Sequence, residues 1–353
     1  MKPGLLHVTI YQYMKTAPKI SVCIPVFETE QYLAQCLKSV YLQNFDSFEI
    51  IVVSDASEGK DLQEHGVKKI IKAAQKEGAK LRKTKSLAPV TLKFLVHSEN
   101  RGIFEVRRTL AYEARGEYIA YVDSDDELSE GALRTLWEAG AETANVQQTA
   151  FDVIHGSNQN FPAQKNLYNN VYFGSLENTD SNHHIFHKWL CEFAISGVMW
   201  AKLIRRELLL QAYDQIPYTE CNMADDTLLF FYVTLFAKSY LGINRVVYHY
   251  RTDSGMSSQR KITSLARWKM ICSAASVFTV ISTWLESHSE AFSISGEEIE
   301  ALKHLARWYV SNNLSQMKNC LIPELLPQAR EILCDYWGSD FVEEIEKILQ
   351  KSS

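Results

Sequence analysis

The stretch Tyr118-Ile-Ala-Tyr-Val-Asp-Ser-Asp-Asp-Glu127 constrains this chain more than any other. A short apolar run passes directly into Asp123, Asp125 and Asp126, so a buried strand is expected to deliver a carboxylate cluster to its own C-terminal edge. Open α/β sheets bind their ligands at that edge. Acids crowded this closely repel one another, and a divalent cation with oxygen ligands is the simplest reason to hold them together. A helix cap competes with that reading. Asp126 and Ser129 both precede a helix expected over 130–139, and either can accept its free N–H groups. The residues themselves leave both readings open.

The segments before this stretch fit a parallel sheet. Ile20-Ser-Val-Cys-Ile-Pro-Val26 is a β-branched run closed by Pro25, and Phe48-Glu-Ile-Ile-Val-Val-Ser54 is a second buried run that ends in Asp55. Between them, Tyr32, Leu33, Cys36, Leu37, Val40 and Tyr41 recur at helical spacing over 30–43. Strand, helix, strand at that spacing makes a parallel pair. A helix over 62–79, a basic irregular segment over 80–88, a strand Thr91-Leu-Lys-Phe-Leu-Val-His97 and a helix over 103–115 closed by Gly116 complete the alternation.

Beyond Gly140 the alternation weakens. A strand is expected over 144–155, followed by an Asn-rich loop to Asn170. An amphipathic segment follows over 198–210, then a helix over 225–238 opened by Asp225 and Asp226, and a last strand over 243–250. After Ser257, Leu265, Trp268, Ile271, Ala275, Phe278, Ile281 and Leu285 recur every three or four residues, and the rest of the chain reads as all-helical. Trp268, Phe278, Trp284 and Trp308 are large apolar groups expected to hold that region against the preceding half. The expected organisation is a flexible leader over 1–18, an α/β domain over 19–257 with halves 19–140 and 141–257, and a helical domain over 258–353.

Composition narrows the classes. With 37 basic and 42 acidic residues the net charge is −5, which gives no footing for nucleic-acid binding. Seven scattered cysteines without a C-x-x-C pair point to a reduced, cytoplasmic protein. The uncharged run over 270–285 falls short of the roughly 20 apolar residues a membrane span requires. P-loop, G-x-G-x-x-G and G-x-S-x-G motifs are missing, and His183-His184-Ile-Phe-His187 lacks the Glu of a zinc hydrolase motif.

An ordered set of motifs resembles the family 2 glycosyltransferases. Ile20-Ser-Val-Cys-Ile-Pro-Val-Phe27 with Tyr32-Leu33 is similar to their opening, and Val53-Ser-Asp-Ala-Ser57 to their V-D-D-G-S. Asn100-x-Gly102 with Arg107 resembles N-x-G…A-R-N, and Gly116-Glu-Tyr-Ile-Ala-Tyr-Val-Asp-Ser-Asp-Asp126 resembles G-E-Y-I-x-F-x-D-S-D-D. Trp200-Ala-Lys-Leu203, Asp225-Asp226 and Tyr248-His-Tyr-Arg251 match W-x-K-L, E-D and Y-x-Y-R in the same order.

The resemblance runs in order from residue 20 to about residue 258 and implies a GT-A fold, a Rossmann-like and mainly parallel sheet flanked by helices, binding a nucleotide-diphosphate sugar. It implies a donor pocket of Pro25, Phe27, Glu28, Asp55, Arg107, Asp123, Ser124, Asp125 and Lys202. Within it Asp55 would meet a uracil-type base, Asp123 the ribose, and Asp125 a Mn²⁺ or Mg²⁺ ion. Arg107 and Lys202 would face the diphosphate or pair with the acids. His249 would be a further metal contact or an ordinary strand residue, and Asp226 the general base of an inverting transfer. Asp225, turned about 100° from it on the helix, is expected to point elsewhere. Glu28 stands where the family commonly has Asn, and Asp225 where it has Glu. The chemistry agrees: a cation neutralises the leaving diphosphate, and one carboxylate takes the proton of an attacking hydroxyl. The acceptor implied is a saccharide or lipid-linked saccharide in cell-surface polysaccharide synthesis. Peripheral contact with the inner face of the cytoplasmic membrane and a homodimer through the C-terminal helices accompany that reading, although the acidic last helix disfavours anionic lipid. The rival is a non-catalytic sugar-nucleotide or polysaccharide-binding protein of the same fold.

Overall fold

The computed structural model describes residues 5–11, 17–55, 61–147, 150–163, 167–179, 182–219, 221–254 and 261–351. Strands β2 (Ile20–Val26), β3 (Phe48–Ser54) and β4 (Thr91–His97) form as their apolar runs predict. β2 pairs in parallel with β3 and with β5 (Tyr118–Tyr121), and β3 pairs in parallel with β4. Both faces of these strands are covered. Val22, Ile24, Ile50 and Val52 pack with Leu33 and Leu37 of helix α1 (Glu30–Tyr41), while the alternate residues Cys23, Ile51 and Val53 pack with Phe104 and Leu110 of α3 (Gly102–Glu113). Burial on both faces is why these strands read as continuous apolar runs.

The opening residues correct an expectation. Leu5–Tyr11 is not excluded from the fold as part of a leader: it forms β1, antiparallel to β4, and gives the otherwise open edge of the parallel strands a partner. Helix α2 (Asp61–Thr84) also continues through part of the segment expected to be irregular.

The second half completes one ten-stranded sheet. Its further strands are β6 (Glu127–Leu128), β7 (Val153–Phe161), β8 (Gly174–Glu177), β9 (Lys202–Arg205) and β10 (Ser239–Arg251). The order is β1-β4-β3-β2-β5-β9-β7-β10-β6, with β8 also on β10. The strand expected over 144–155 is displaced: helix α4 (Ala132–Gln147) occupies its start, and β7 runs on through residues expected to be a loop. Buried Asn158 and Asn160 fit there because Asn158 Nδ2 donates to Asn160 Oδ1 at 2.6 Å and to the Leu167 carbonyl at 3.1 Å. The amphipathic 198–210 segment divides into β9 and the start of α6 (Arg206–Asp214), and α5 (His184–Leu190) and α7 (Asp225–Phe236) pack on the same side.

The C-terminal region is helical, as expected: α8 (Leu265–Cys272), α9 (Ala274–His288), α10 (Gly296–Asn319), a 3₁₀ turn at Pro323–Leu325, α11 (Leu326–Trp337) and α12 (Ser339–Lys351). Trp268, Ile271, Val310, Leu333 and Ile345 form a core of their own. Ala274, Val277, Ile281 and Trp284 of α9 instead join the core of α7, where Trp284 meets the rings of Phe231 and Tyr232 at 5.9 and 5.4 Å. Trp308 does not help to hold the region in place, being 57% exposed. The expected boundary at 257/258 lies outside the described residues. By length and composition Leu265–His288 could cross a membrane. In the structure it is two helices meeting at Ser273, with Trp268, Val277 and Ile281 buried inside protein.

Candidate active site

The parallel strands β2, β3 and β5 end at one cleft of about 560 Å³. Pro25, Phe27, Asp55, Arg107, Asp123, Ser124, Asp125 and Asp226 all line it, so most of the sequence-derived set converges. The topology explains the convergence, because side chains just past the C-terminal ends of neighbouring parallel strands open into one crevice.

Asp55 follows β3 and is held by an unusually full set of donors. Its carboxylate accepts the Arg101 N–H at 3.0 Å, the Gly102 N–H at 2.9 Å and His97 Nδ1 at 2.8 Å. It therefore closes the N-terminus of α3 as well as facing the cleft. Gly102 has φ of +80°, and a Cβ there would lie 2.5 Å from Asn222 Oδ1. That left-handed backbone is what favours glycine here.

The acids after β5 divide the work. Asp126 is buried and accepts the Tyr248 hydroxyl at 2.8 Å and the Arg251 N–H at 2.7 Å, which ties the β5 end to β10. The same Tyr248 hydroxyl accepts the Asp123 N–H at 3.0 Å. Asp126 does not cap α4, whose Leu133 N–H is accepted by Gln43 Oε1 at 3.1 Å. Asp125 points into the cleft and accepts the Ser254 hydroxyl at 2.6 Å. Burial raises its carboxyl above the ordinary range, the Asp123 charge adds to this, and the Ser254 bond opposes it.

Across the cleft, α7 begins with Asp225 and Asp226 after Ala224, whose φ is +64°. Arg107 Nη1 donates to both carboxylates, and its Nη2 donates to Asp123 Oδ1 at 2.9 Å. Asp225 thus does not point elsewhere: both acids are drawn to one guanidinium. Burial pushes the Asp226 carboxyl up to about 7, Arg107 pulls against it, and Asp225 and Asp123 add to the rise. Asp226 is the more open of the pair, with 26% of its side chain exposed against 14% for Asp225.

Three residues of the expected set lie outside the lining. Glu28 occupies the turn after β2 at φ of +54°, a conformation that Asn tolerates better than Glu. Lys202 lies on β9 in mid-sheet, where its Nζ donates to the Ser196 and Val198 carbonyls at 3.0 and 2.5 Å instead of facing the cleft. Burial brings its ammonium down to about 7, with Asp226 opposing the fall. His249 sits between Tyr248 and Tyr250 on β10. Tyr250 lines the cleft, so strand alternation turns His249 to the other side, where Nε2 is 3.2 Å from Ser129 Oγ.

Other lining residues carried no role in the sequence reading. Trp200 stacks on Tyr248 and Tyr250 with ring centroids 4.6 and 5.2 Å apart, building an aromatic wall. Met270, Leu305 and Tyr309 enter from the helical region, and Tyr309 Oη is 3.2 Å from Thr227 Oγ1, next to Asp226. Helical spacing announces only that Leu305 and Tyr309 share a face, not which neighbour that face meets.

The donor set fits a hard divalent cation. Oxygen ligands predominate, and Asp123, Asp125, Asp225 and Asp226 share the cleft with Arg107, more carboxylates than one guanidinium balances.

A covered α/β sheet with carboxylates at its parallel strand ends defines the GT-A class of fold, and comparison with known proteins narrows it. Residues 21–199 match the model of glycosyl transferase family 2. The chain belongs to that family. It is 29% identical to EpsH of Bacillus subtilis (strain 168) over 251 residues, which is 69% of this chain and 63% of EpsH. It is 26% identical to glycosyltransferase GlyG of Streptococcus pneumoniae over 256 residues, 67% of this chain and 71% of GlyG. The match therefore spans less than two thirds of EpsH and more than two thirds of GlyG. Among solved structures, S. aureus TarS 1–349 in complex with UDP-GlcNAc is similar with a TM-score of 0.50 and 20% identity, over 93% of this chain and 91% of that one. That likeness is one of fold.

Proposed function

We propose that the chain transfers a sugar from a nucleotide-diphosphate donor, in particular a UDP-sugar, to a hydroxyl of a saccharide or lipid-linked saccharide, with inversion, in building a cell-surface polysaccharide. One observation carries this reading: Arg107 joins Asp123 on the donor side to Asp226 on the opposite wall of the same cleft. Membership of family 2 and the relatives named as glycosyltransferases support it.

Asp226 acts as the general base. Its carboxyl, raised to about 7, is matched to removing a proton from a hydroxyl near neutral pH. Arg107 orients that carboxylate and counters its charge. Asp55, Pro25 and Phe27 line the end of the cleft that takes the base of the nucleotide. Asp125, with Asp123 beside it, would hold a Mn²⁺ or Mg²⁺ ion, and the ion would neutralise charge on the departing diphosphate. Trp200, Tyr250 and Tyr309 supply apolar surface on which sugar rings stack on the acceptor side. All seven cysteines are unpaired, which supports a reducing, cytoplasmic location for the reaction.

Nucleotide release from a panel of UDP- and GDP-sugars, with and without Mn²⁺ and saccharide acceptors, tests the proposal. Release that depends on both cation and acceptor supports transfer. Binding of a donor with no release under any acceptor would favour the non-catalytic binding protein.

A further inference from the structure

Away from the cleft, α5 and α10 meet at a mixed set of metal-ligating side chains. Cys191, the residue that closes α5, donates its N–H to the His187 carbonyl at 2.9 Å, so the two side chains sit one helical turn apart on the same face. Glu297 faces them from the first turn of α10. One ligating atom from each of His187, Cys191 and Glu297 lies within 4.8 Å of the others. Ligands at tetrahedral bond lengths of about 2.0–2.3 Å are roughly 3.3–3.8 Å apart, so side-chain rotation is enough to close the set.

Glu298 borders the set from the same turn of α10. Its Oε2 accepts the N–H and hydroxyl of Ser295 at 2.8 Å each, which fixes the start of α10, and its Oε1 is left 3.8 Å from His187 Nδ1. The other imidazole nitrogen is 4.0 Å from Glu192 Oε1, and both separations exceed hydrogen-bond length. Among the described residues no hydrogen bond reaches the side chains of His187 or Cys191.

We propose that His187, Cys191 and Glu297 bind a zinc-class divalent cation, with water completing its coordination, that pins α5 to the start of α10. Imidazole and thiolate select zinc or cobalt over Mg²⁺ and Mn²⁺, so this site differs in kind from the all-oxygen cluster at Asp125. On binding, the Cys191 thiol gives its proton to solvent and its sulfur becomes a ligand. The site is structural. Its consequence reaches the cleft because α10 also carries Leu305 and Tyr309, and fixing its first turn fixes where those side chains stand.

Cobalt titration of the full, reduced chain tests this. One equivalent of Co²⁺ should give a thiolate-to-cobalt charge-transfer band and the visible bands of a tetrahedral ion, displaced by Zn²⁺ and unaffected by excess Mn²⁺. Cys191→Ser should abolish the charge-transfer band, and His187→Ala should weaken Co²⁺ binding at least tenfold, with unchanged circular dichroism in both. Zn²⁺ should raise the melting temperature of the unmodified chain and leave that of the His187→Ala/Cys191→Ser double variant where it was. Asp125→Ala, which removes the cation ligand of the cleft, should keep the cobalt spectrum. Absence of the charge-transfer band, its persistence in Cys191→Ser, or its loss in Asp125→Ala would each overturn the assignment.

Discussion

At the residue scale, the decisive group is Arg107, because one guanidinium is bonded to acids on both walls of the cleft. Asp226 serves as a base only when ionised. With its carboxyl raised to about 7, kcat/KM should fall as pH drops through about 7 and level off above it. Arg107 lowers that carboxyl, so Arg107→Met should move the acidic limb upward by about 1–2 pH units, besides weakening the donor-side contact to Asp123. A pH profile of the variant that overlays the parent would remove Arg107 from this role. Asp226→Asn keeps the outline of the side chain but cannot take a proton, so transfer should drop by about 10²–10⁴-fold with UDP affinity retained. Asp225→Asn is no silent control, since Asp225 shares Arg107 Nη1. Single-turnover rates beside UDP titrations separate these effects. The acids after β5 were legible because an apolar run ends in them. Pairing of Arg107 with the acids was one of two readings the sequence allowed, but its grip on both walls was not legible, since its partners at 123 and 225–226 are far apart in sequence and meet only in the folded chain.

At the scale of elements, α3 depends on its first turn. Gly102→Ala would strain a φ of +80° and press a methyl group against Asn222, and it would also disturb the N–H that Asp55 accepts. A loss of about 1–3 kcal/mol in denaturant unfolding is expected, together with weaker nucleotide binding. Glu28→Asn works in the opposite direction: it places a residue suited to positive φ where the chain already adopts +54°, and a gain of up to about 1 kcal/mol is expected. The same physics decides which elements the sequence discloses. β2, β3 and β4 are buried on both faces and announce themselves as apolar runs. β7 does not, because its interior positions include Ser157, Asn158 and Asn160, whose fit depends on hydrogen bonds to partners such as Leu167 and Asn169. Short β6, β8 and β9 pair through neighbours distant in sequence, and two to four residues carry too little periodicity to be read.

At the scale of the whole molecule, the question is whether the helical region is a separate body or part of the catalytic one. Its character after residue 257 is plain from helical spacing, but its attachment is not. α8, α10, α11 and α12 share a core of their own, while α9 places Val277, Ile281 and Trp284 in the core that holds α7, the helix carrying Asp226. Trp284 also donates its Nε1 to Gln215 Oε1 at 3.3 Å, just after α6. Removing everything beyond residue 257 would therefore expose the apolar flank of α7, and with it Phe231 and Tyr232, as well as stripping Met270, Leu305 and Tyr309 from the cleft. Such a fragment is expected to aggregate. Trp284→Ala is the milder form of the same experiment. It leaves a cavity where a buried indole stood and should cost about 3–5 kcal/mol. Because the cavity lies in the shared core, calorimetry should show one transition, lowered as a whole, and activity and the helical signal should be lost together on heating. Two separated transitions, with only the later or earlier one moved by Trp284→Ala, would show instead that the helices fold as an independent domain resting on the catalytic half.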